Sequence, residues 1–425
     1  MLQRALIVGQ TPYLLRPIVS LLDRADFEVE VLFYGAPFKN KIAIRSLQFI
    51  ADESAFLGAL ALAAKQSFDL IIISDDLTLH QILYSDLSET AKDALLPVCS
   101  KEYWGHLCSK IGLAHYLHKA GLVQPSYRVC ENANDLNEHA QQLGFPLMLK
   151  IDYSGGGLGV TQCDTLLDIH QAQQRSLSYP LLMQEKITGA ILDLSGIFYR
   201  GKLLFFSHSE MTHCLGHEFG PSIARTYHRR HRIDPAIESE LKDLGVALGL
   251  HGLINITAIQ SMENGKRYYI EADGRPNVWL NFPRYLDDDP AQALQDFFSN
   301  PHIYSIKSKG STLQNEPAVI PYALRMKPYE IMFNRYQVWG YLGEFSKEEI
   351  ISHCLHPITL TLDSYWNSRV KLTTDLILPL KQYGYRRLIH VFESTITRTI
   401  KPYIPAKLWS PISYAYKKIK ELRIN

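Results

Sequence analysis

The sequence lacks the signals by which several large classes of protein announce themselves. Its six cysteines, Cys99, Cys108, Cys130, Cys163, Cys214 and Cys354, are dispersed, with no Cys-x-x-Cys pair and no Cys/His cluster at metal spacing. That excludes a zinc ribbon or a disulfide framework and fits reduced thiols. No run approaches the roughly 18 consecutive apolar residues of a membrane span. The opening stretch, MLQRALIVGQTPYLLRPIV, interrupts its apolar run at Gln10 and Pro12, too early for a secretory signal, so a cytoplasmic protein is expected. Neither sign of charge dominates: 44 basic against 43 acidic side chains leave +1, and no global field favours nucleic acid. Gly9 stands alone before Gln10 and Thr11, without the G-x-G-x-x-G of a dinucleotide fold.

What is present belongs to an ordinary globular chain, 46% apolar and 20% charged, and its 425 residues suggest two to four domains. Residues 1 to about 100 alternate short β-branched runs, Ala5 to Gly9, Val29 to Tyr34 and Leu70 to Ser74, with apolar residues at helical spacing over Leu14 to Asp23 and Ser54 to Gln66. Such alternation predicts a small parallel sheet covered by helices. Asp75 and Asp76 then end the third run, where they either cap the next helix or line a substrate entrance.

The most informative stretch is Phe145 to Val160, FPLMLKIDYSGGGLGV. An apolar strand delivers Lys150 just before Gly155, Gly156, Gly157 and Gly159. Glycines let backbone N–H groups approach an anion without a Cβ in the way. The lysine precedes the glycines, so this is no P-loop. A β-hairpin with a surface lysine would read the same way. Before it, Lys101 to Ala120 reads as one helical stretch with Ser109 and Lys110 near its middle, and Val129 to Leu143 as a helix. After it come a helix near Leu166 to Ser176 and the buried strand Leu181 to Glu185. That strand leads into QEKITG, a hinge with backbone groups beside an apolar wall, which is what an adenine ring requires, or else a plain turn.

Ile191 to Tyr199 and Lys202 to Ser207 read as antiparallel strands about Arg200-Gly201. Thr212 to Arg232 holds His213, His217, His228 and His231 with Arg225, Arg229, Arg230 and Arg232. The histidine spacings match no recognised metal set, and a mobile loop whose cations approach phosphate or carboxylate, Arg225 foremost, fits better. An amphipathic helix over Ile233 to Gly249 precedes a hairpin of Leu253 to Gln260 and Arg267 to Glu271 that runs into EADGRPN. Glu271 and Asp273, two apart on a strand, face one side, with Arg275 two further on. Two hard oxygen donors there suit Mg²⁺ on nucleotide phosphates, although a solvated strand edge looks similar.

Lys110, Lys150 with its glycine loop, QEKITG and IEADGRPN come in the order and at roughly the spacing of ATP-grasp enzymes, and residues 1 to 300 resemble that superfamily in its carbamoyl phosphate synthetase and biotin carboxylase style. The resemblance implies a fold of mixed α/β and α+β type: a Rossmann-like domain over 1–100, an ATP-grasp domain over 101–300 with its smaller lobe about 123–187, and a C-terminal extension over 301–425. It implies ATP held by Lys110 and Lys150 on the α and β phosphates and by Gly155, Gly156, Gly157 and Gly159 as a lid. Glu185, Lys186 and Ile187 would take the adenine and Asp193 the ribose. It implies Mg²⁺, or Mn²⁺ in its place, on Glu271, Asp273 and Thr257, with Arg275 and Arg225 as catalytic cations. The family's usual Glu-x-Asn is Glu271-Ala272-Asp273 here, and Thr257 stands where an acid or glutamine is normal. The implied activity is ligation of a small carboxylate, activated as an acyl phosphate, to an amine or thiol. A bicarbonate-activating carboxylase and a non-catalytic nucleotide-binding module are the alternatives. The end of the chain, KPYIPAKLWSPISYAYKKIKELRIN, is basic and aromatic, suited to an anionic membrane surface or to a packed helical extension with a solvated basic face.

Overall fold

The computed structural model describes residues 3–37, 44–155, 157, 159–174, 177–214, 221–229, 233–306, 318–326, 330–331, 334–345, 349–350 and 353. Gly156, His217, Arg230, His231, Arg232, Cys354 and the basic C-terminal tail lie outside them. The chain divides into two compact units, Met1–Val319 and Ile320–Asn425. In the second, the indole N–H of Trp339 donates to the Ile331 carbonyl at 2.8 Å. Everything below concerns the first. No helix among the described residues is long and apolar enough to cross a membrane.

The alternating N-terminal pattern folds as β1 (Gln3–Gly9), α1 (Pro12–Arg24), β2 (Phe27–Tyr34), β3 (Ser46–Ile50), α2 (Glu53–Ala63), β4 (Leu70–Ile73), α3 (Asp76–Tyr84) and α4 (Glu89–Leu95). The four strands form a parallel sheet in the order β3-β2-β1-β4. Ile7, Val29 and Ile72 bury one face with α1, while Leu6, Val8 and Ile73 bury the other with Phe56 and Leu60 of α2. Strands apolar on both faces are what a doubly covered parallel sheet demands. Asp75 caps α3, accepting from the Thr78 N–H at 2.9 Å.

The expected helix over 101–120 is two elements. A 3₁₀ segment, Lys101–His106, ends before α5 (Lys110–Lys119), whose N-cap is Ser109. Lys110 therefore opens a helix rather than lying within one. Gly112 is what lets the two elements touch, since a Cβ there would stand 1.8 Å from the Gly105 carbonyl oxygen. The helix expected from Val129 begins later for a similar reason: Tyr127–Cys130 is strand β5, and α6 runs Asp135–Leu143. Together with β6 (Leu147–Ile151), β7 (Val160–Cys163), α7 (Leu166–Gln173) and β8 (Leu181–Glu185) they make a second sheet in the order β5-β8-β6-β7. Leu147 and Leu149 pack against α6 and α7 on one face, and Leu182 packs against Ile111 and Ala114 of α5 on the other.

The third and largest sheet holds β9 (Gly189–Asp193), β10 (Gly196–Tyr199), β11 (Lys202–Phe206), β12 (His208–Cys214), β13 (Ser222–His228), β14 (Gly252–Ser261) and β15 (Arg267–Asp273). Its order runs β11-β10-β14-β9-β12-β13, with β15 also paired to β14. The strand expected over 191–199 breaks at Leu194-Ser195, so that β9 joins β12 while β10 joins β11. The stretch expected to be a mobile loop of histidines and arginines is instead the antiparallel pair β12 and β13, with residues 215–220 outside the described set. Ser222, Ala224, Arg225 and Tyr227 are all buried in β13, and a strand whose buried members include serine and arginine carries no apolar alternation to reveal it in the sequence. Helix α8 (Pro235–Ala247) covers one face of this sheet through Ile237, Leu241 and Leu244, and α9 (Pro290–Ser299) packs its Leu294 and Phe297 into the core shared with α1.

Two outcomes follow. Gly112→Ala must part α5 from the 3₁₀ segment, and chemical denaturation is expected to show a loss of ~1–3 kcal/mol, as for other overpacked sites. His106 is buried with Nε2 at 2.9 Å from the Leu248 carbonyl, and burial lowers it to about 4 from 6.5. The folded state thus holds the neutral imidazole, and stability present above pH 6.5 is lost as pH falls toward 4. The contribution is at most about 1.4 kcal/mol per pH unit in that window. Thermal midpoints between pH 7 and 5 should fall, and His106→Gln should give the shallower slope.

Candidate active site

The site is built on the pairing of β14 with β15. Asn255 lies opposite Asp273 and Thr257 opposite Glu271, while Thr257 also pairs with Asp193 on β9 and Asp193 with Ser209 on β12. Residues directly opposite share a face, so Ser209, Asp193, Thr257 and Glu271 form one row across four strands. Register shifts after Thr257, where Ala258 meets Tyr269 and Ile270 is left over as a bulge. That extra residue changes the phase of the strand. Tyr269 is buried in the core beneath α8, its hydroxyl donating to Glu240 at 2.8 Å, yet Glu271 and Asp273 face the opposite side from the core-packed Ala272.

Glu271 is half-buried within this row. Burial, and next the nearby Asp273 charge, push its carboxyl up to about 7, against the pull of Lys150, Lys110 and Arg275. Lys150 comes from the second sheet and is 8% exposed. Burial pushes its ammonium down to about 8 although Glu271 favours the charge. Among the described residues none gives the Lys150 ammonium a hydrogen bond or ion pair. Two opposite charges are thus brought to face one another from separate sheets without closing into a bond.

Asp273 is held by the Asn255 amide at 2.9 Å and by Arg275 at 3.2 Å, both on Oδ2. Arg275 also pairs with Asp76 at 2.7 Å. Burial opposes the Arg275 charge, but Asp273 and Asp76 outweigh it and raise its pKa. A Cβ at Gly274 would come 2.5 Å from Pro97, so only glycine lets the chain pass here and carry Arg275 to α3.

Lys110 and the glycine loop form one assembly. The Lys110 ammonium donates to the Ser154 carbonyl at 2.7 Å and, more weakly, to Ser154 Oγ at 3.3 Å and the Asp152 carbonyl at 3.4 Å. Asp152 in turn accepts from the Ile111 N–H at 2.8 Å and from Ser109 Oγ at 3.0 Å. Gly157 adopts φ +77°, and a Cβ at Gly159 would stand 2.2 Å from Ser154 Oγ. Tyr153 stacks on His80 of α3 with ring centroids 4.4 Å apart.

At the hinge, the Glu185 N–H donates to the Ser126 carbonyl at 2.9 Å and the Lys186 N–H to the Pro146 carbonyl at 3.0 Å. Both are therefore committed to the second sheet, while the Ile187 N–H bonds to no described residue. The Lys186 ammonium reaches Gln162 at 2.8 Å. Asp193 stands in the row with Thr257 and Glu271 and forms a buried ion pair with Arg225 at 2.8 Å. Arg225 also donates to Ser222 Oγ at 2.9 Å and lies 4.7 Å over the Trp279 ring.

Sequence reasoning passed over Asn255, Ser195 and Asn277 as a set. The Asn277 amide donates to Asp193 at 2.9 Å, to Ser195 at 3.0 Å and to Asn255 at 2.8 Å, joining the Arg225 and Asp273 ends of the site. The signal available was Asn255 two residues before Thr257, on the same face. Cys108 lies beside the acids, and burial pushes its thiol up to about 12, so it is protonated and no nucleophile at neutral pH.

No known protein-family profile matches the chain. Over 173 residues it is 23% identical to the carbamoyl phosphate synthase large chain of Pasteurella multocida, a match spanning 39% of this chain and 16% of that relative's length. Among solved structures, an ADP complex of N5-carboxyaminoimidazole ribonucleotide synthetase aligns over 79% of this chain and 85% of its own, with TM-score 0.56 at 18% identity. The biotin carboxylase domain of Hydrogenobacter thermophilus 2-oxoglutarate carboxylase, solved with MgADP, ADP and bicarbonate, aligns over 72% of each chain with TM-score 0.55 at 12% identity. Both neighbours are ATP-grasp enzymes, and the chain has the ATP-grasp fold.

Proposed function

We propose that the protein is an ATP- and Mg²⁺-dependent ligase that converts a small carboxylate to an acyl phosphate and passes the acyl group to an amine, forming a C–N bond and releasing ADP and phosphate. The observation that carries this reading is a pair of opposite charges that act on one another but do not bond, the buried Lys150 and the half-buried Glu271. Each is costly as it stands, and a magnesium-bound phosphate would compensate both at once. The donor set fits Mg²⁺, which takes hard oxygens from one or two carboxylates and leaves its other positions to water and phosphate. Glu271 and Asp273 would hold it, with the Thr257 hydroxyl as a neutral neighbour. When bound, the ion neutralises charge on phosphate oxygens.

The chain's own residues supply the rest. Lys150 and Lys110 bind phosphate oxygens, the latter after exchanging its loop carbonyls for them. The Ile187 N–H offers an adenine contact, and the glycine loop excludes water from the acyl phosphate. Arg275 neutralises the carboxylate and the γ-phosphoryl group as the new O–P bond forms and the bond to ADP breaks. Attack by the neutral amine then forms the C–N bond and breaks the C–O bond to phosphate, and the departing phosphate takes up the proton that the nitrogen loses. Asp193 and Arg225, already paired, act in this reading as a rigid support through Asn277 rather than as a ribose ligand and a free cation. We take residues 1–100 as the Rossmann-like domain, 101–300 as the ATP-grasp domain and the cytoplasm as its compartment, where ATP and reduced thiols coexist.

ADP release measured with panels of carboxylates, amines and bicarbonate tests the reading. Stimulation by a carboxylate and amine together supports it, and stimulation by bicarbonate alone replaces it with a carboxylase. Lys150→Ala and Glu271→Gln should each lower the stimulated rate by ~10²–10³, the scale of losing a preorganised charge in a transition state. Unchanged rates in both would overturn the assignment of the site.

A further inference from the structure

The two adjacent acids at the end of β4 have different surroundings. Asp75 is consumed by the backbone: Oδ1 accepts from the Thr78 N–H at 2.9 Å, and Oδ2 accepts from the N–H groups of Gln10 at 2.8 Å and Thr11 at 3.1 Å and from Ser74 Oγ at 2.9 Å. Asp76 takes no part in that cap. Its carboxylate leaves the helix and meets Arg275 at 2.7 Å, and its side chain is 37% exposed. Asp273, the other acid on Arg275, is fixed from behind by Asn255. Asp76 is therefore an acid at the reacting corner that serves neither the helix cap nor the carboxylates facing the metal.

Charge matching gives this acid a purpose. In the ligase reading Glu271 and Asp273 answer the metal, and Lys110 and Lys150 answer phosphate. One cation and one anion are left over, Arg275 and Asp76, paired with each other beside the place where a carboxylate must be activated. A simple carboxylate or bicarbonate reaching Arg275 would have to compete with Asp76 and leave that acid without a partner. A zwitterion would exchange one ion pair for two: its carboxylate takes Arg275 and its ammonium takes Asp76. We propose that Asp76 is a specificity-determining residue that binds the ammonium group of the carboxylate substrate, which is accordingly an amino acid. The proposal rests on the ligase reading and deepens it.

The experiment is calorimetric titration of the full-length protein, loaded with Mg²⁺ and a non-hydrolysable ATP analogue, with single amino acids and with the matching acids that lack the amino group. At least one amino acid should bind tenfold or more tightly than its desamino counterpart, and Asp76→Asn should weaken that amino acid about 10- to 100-fold, the range for losing a charge-assisted contact. Affinity for the ATP analogue should be unchanged, and Asp76→Glu should restore part of the preference. A thermal melt of each variant separates a folding defect from a loss of recognition. Equal binding of amino and desamino acids by the wild type, or an unchanged preference in Asp76→Asn, overturns the assignment. Binding of the ATP analogue without any amino-acid preference overturns it alone, whereas failure to bind the analogue overturns the ligase reading and the assignment with it.

Discussion

Keeping opposite charges close in a poorly solvated place without letting them touch is the constraint on which this molecule turns. Lys150 and Glu271 stand on separate sheets, and each is shifted by burial toward its neutral form while the other pulls it back. Had they closed into a salt bridge, the site would be spent on stability. Held apart, they keep a demand for an anion and a cation in one place. Much of the architecture serves that separation. The second sheet is supported by α6 and α7 behind and by α5 in front, and the third sheet is backed by α8.

Around that pair the polar side chains form a connected brace. From Arg225 on β13 the contacts pass through Asp193, Asn277 and Asn255 to Asp273, Arg275 and Asp76 on α3. Nearly every member is satisfied on at least one side, as buried polar groups must be. The brace links the third sheet to the N-terminal parallel sheet through ionic contacts rather than apolar packing alone. It fixes Asp273 by one oxygen, so the other is not engaged by these bonds.

The strand-borne features were legible in the sequence because their rules are short-range. An apolar run fixes the strand that carries Lys150, and a period of two puts Glu271 and Asp273 on one face. Features set by register or tertiary packing were not. Asn255 meets Asp273 only because β14 and β15 pair as they do, 18 residues apart in sequence. The strands β12 and β13 were masked by a composition of histidines and arginines that reads as loop, and Arg225 was accordingly expected to be free. The start of α5 could have been found from Ser109, a good N-cap three residues before Gly112, had the preceding aromatic segment not shared its helical pattern. Asp75 and Asp76 illustrate the limit well: a pair of identical residues divides into a cap and a site acid only when the neighbours are known.

Lys110 carries one more consequence. An ammonium has three protons to donate, and here Ser154 O, Ser154 Oγ and the Asp152 carbonyl surround it. A phosphate binding there, as the proposed function requires, would have to receive a hydrogen bond that the ammonium now donates to the root of the glycine loop. Occupancy of the ammonium and anchorage of the loop are thus competing states of the same few bonds. In the proposed ligase, gripping the ligand and freeing the loop would be one local exchange, with no signal needing to travel between them.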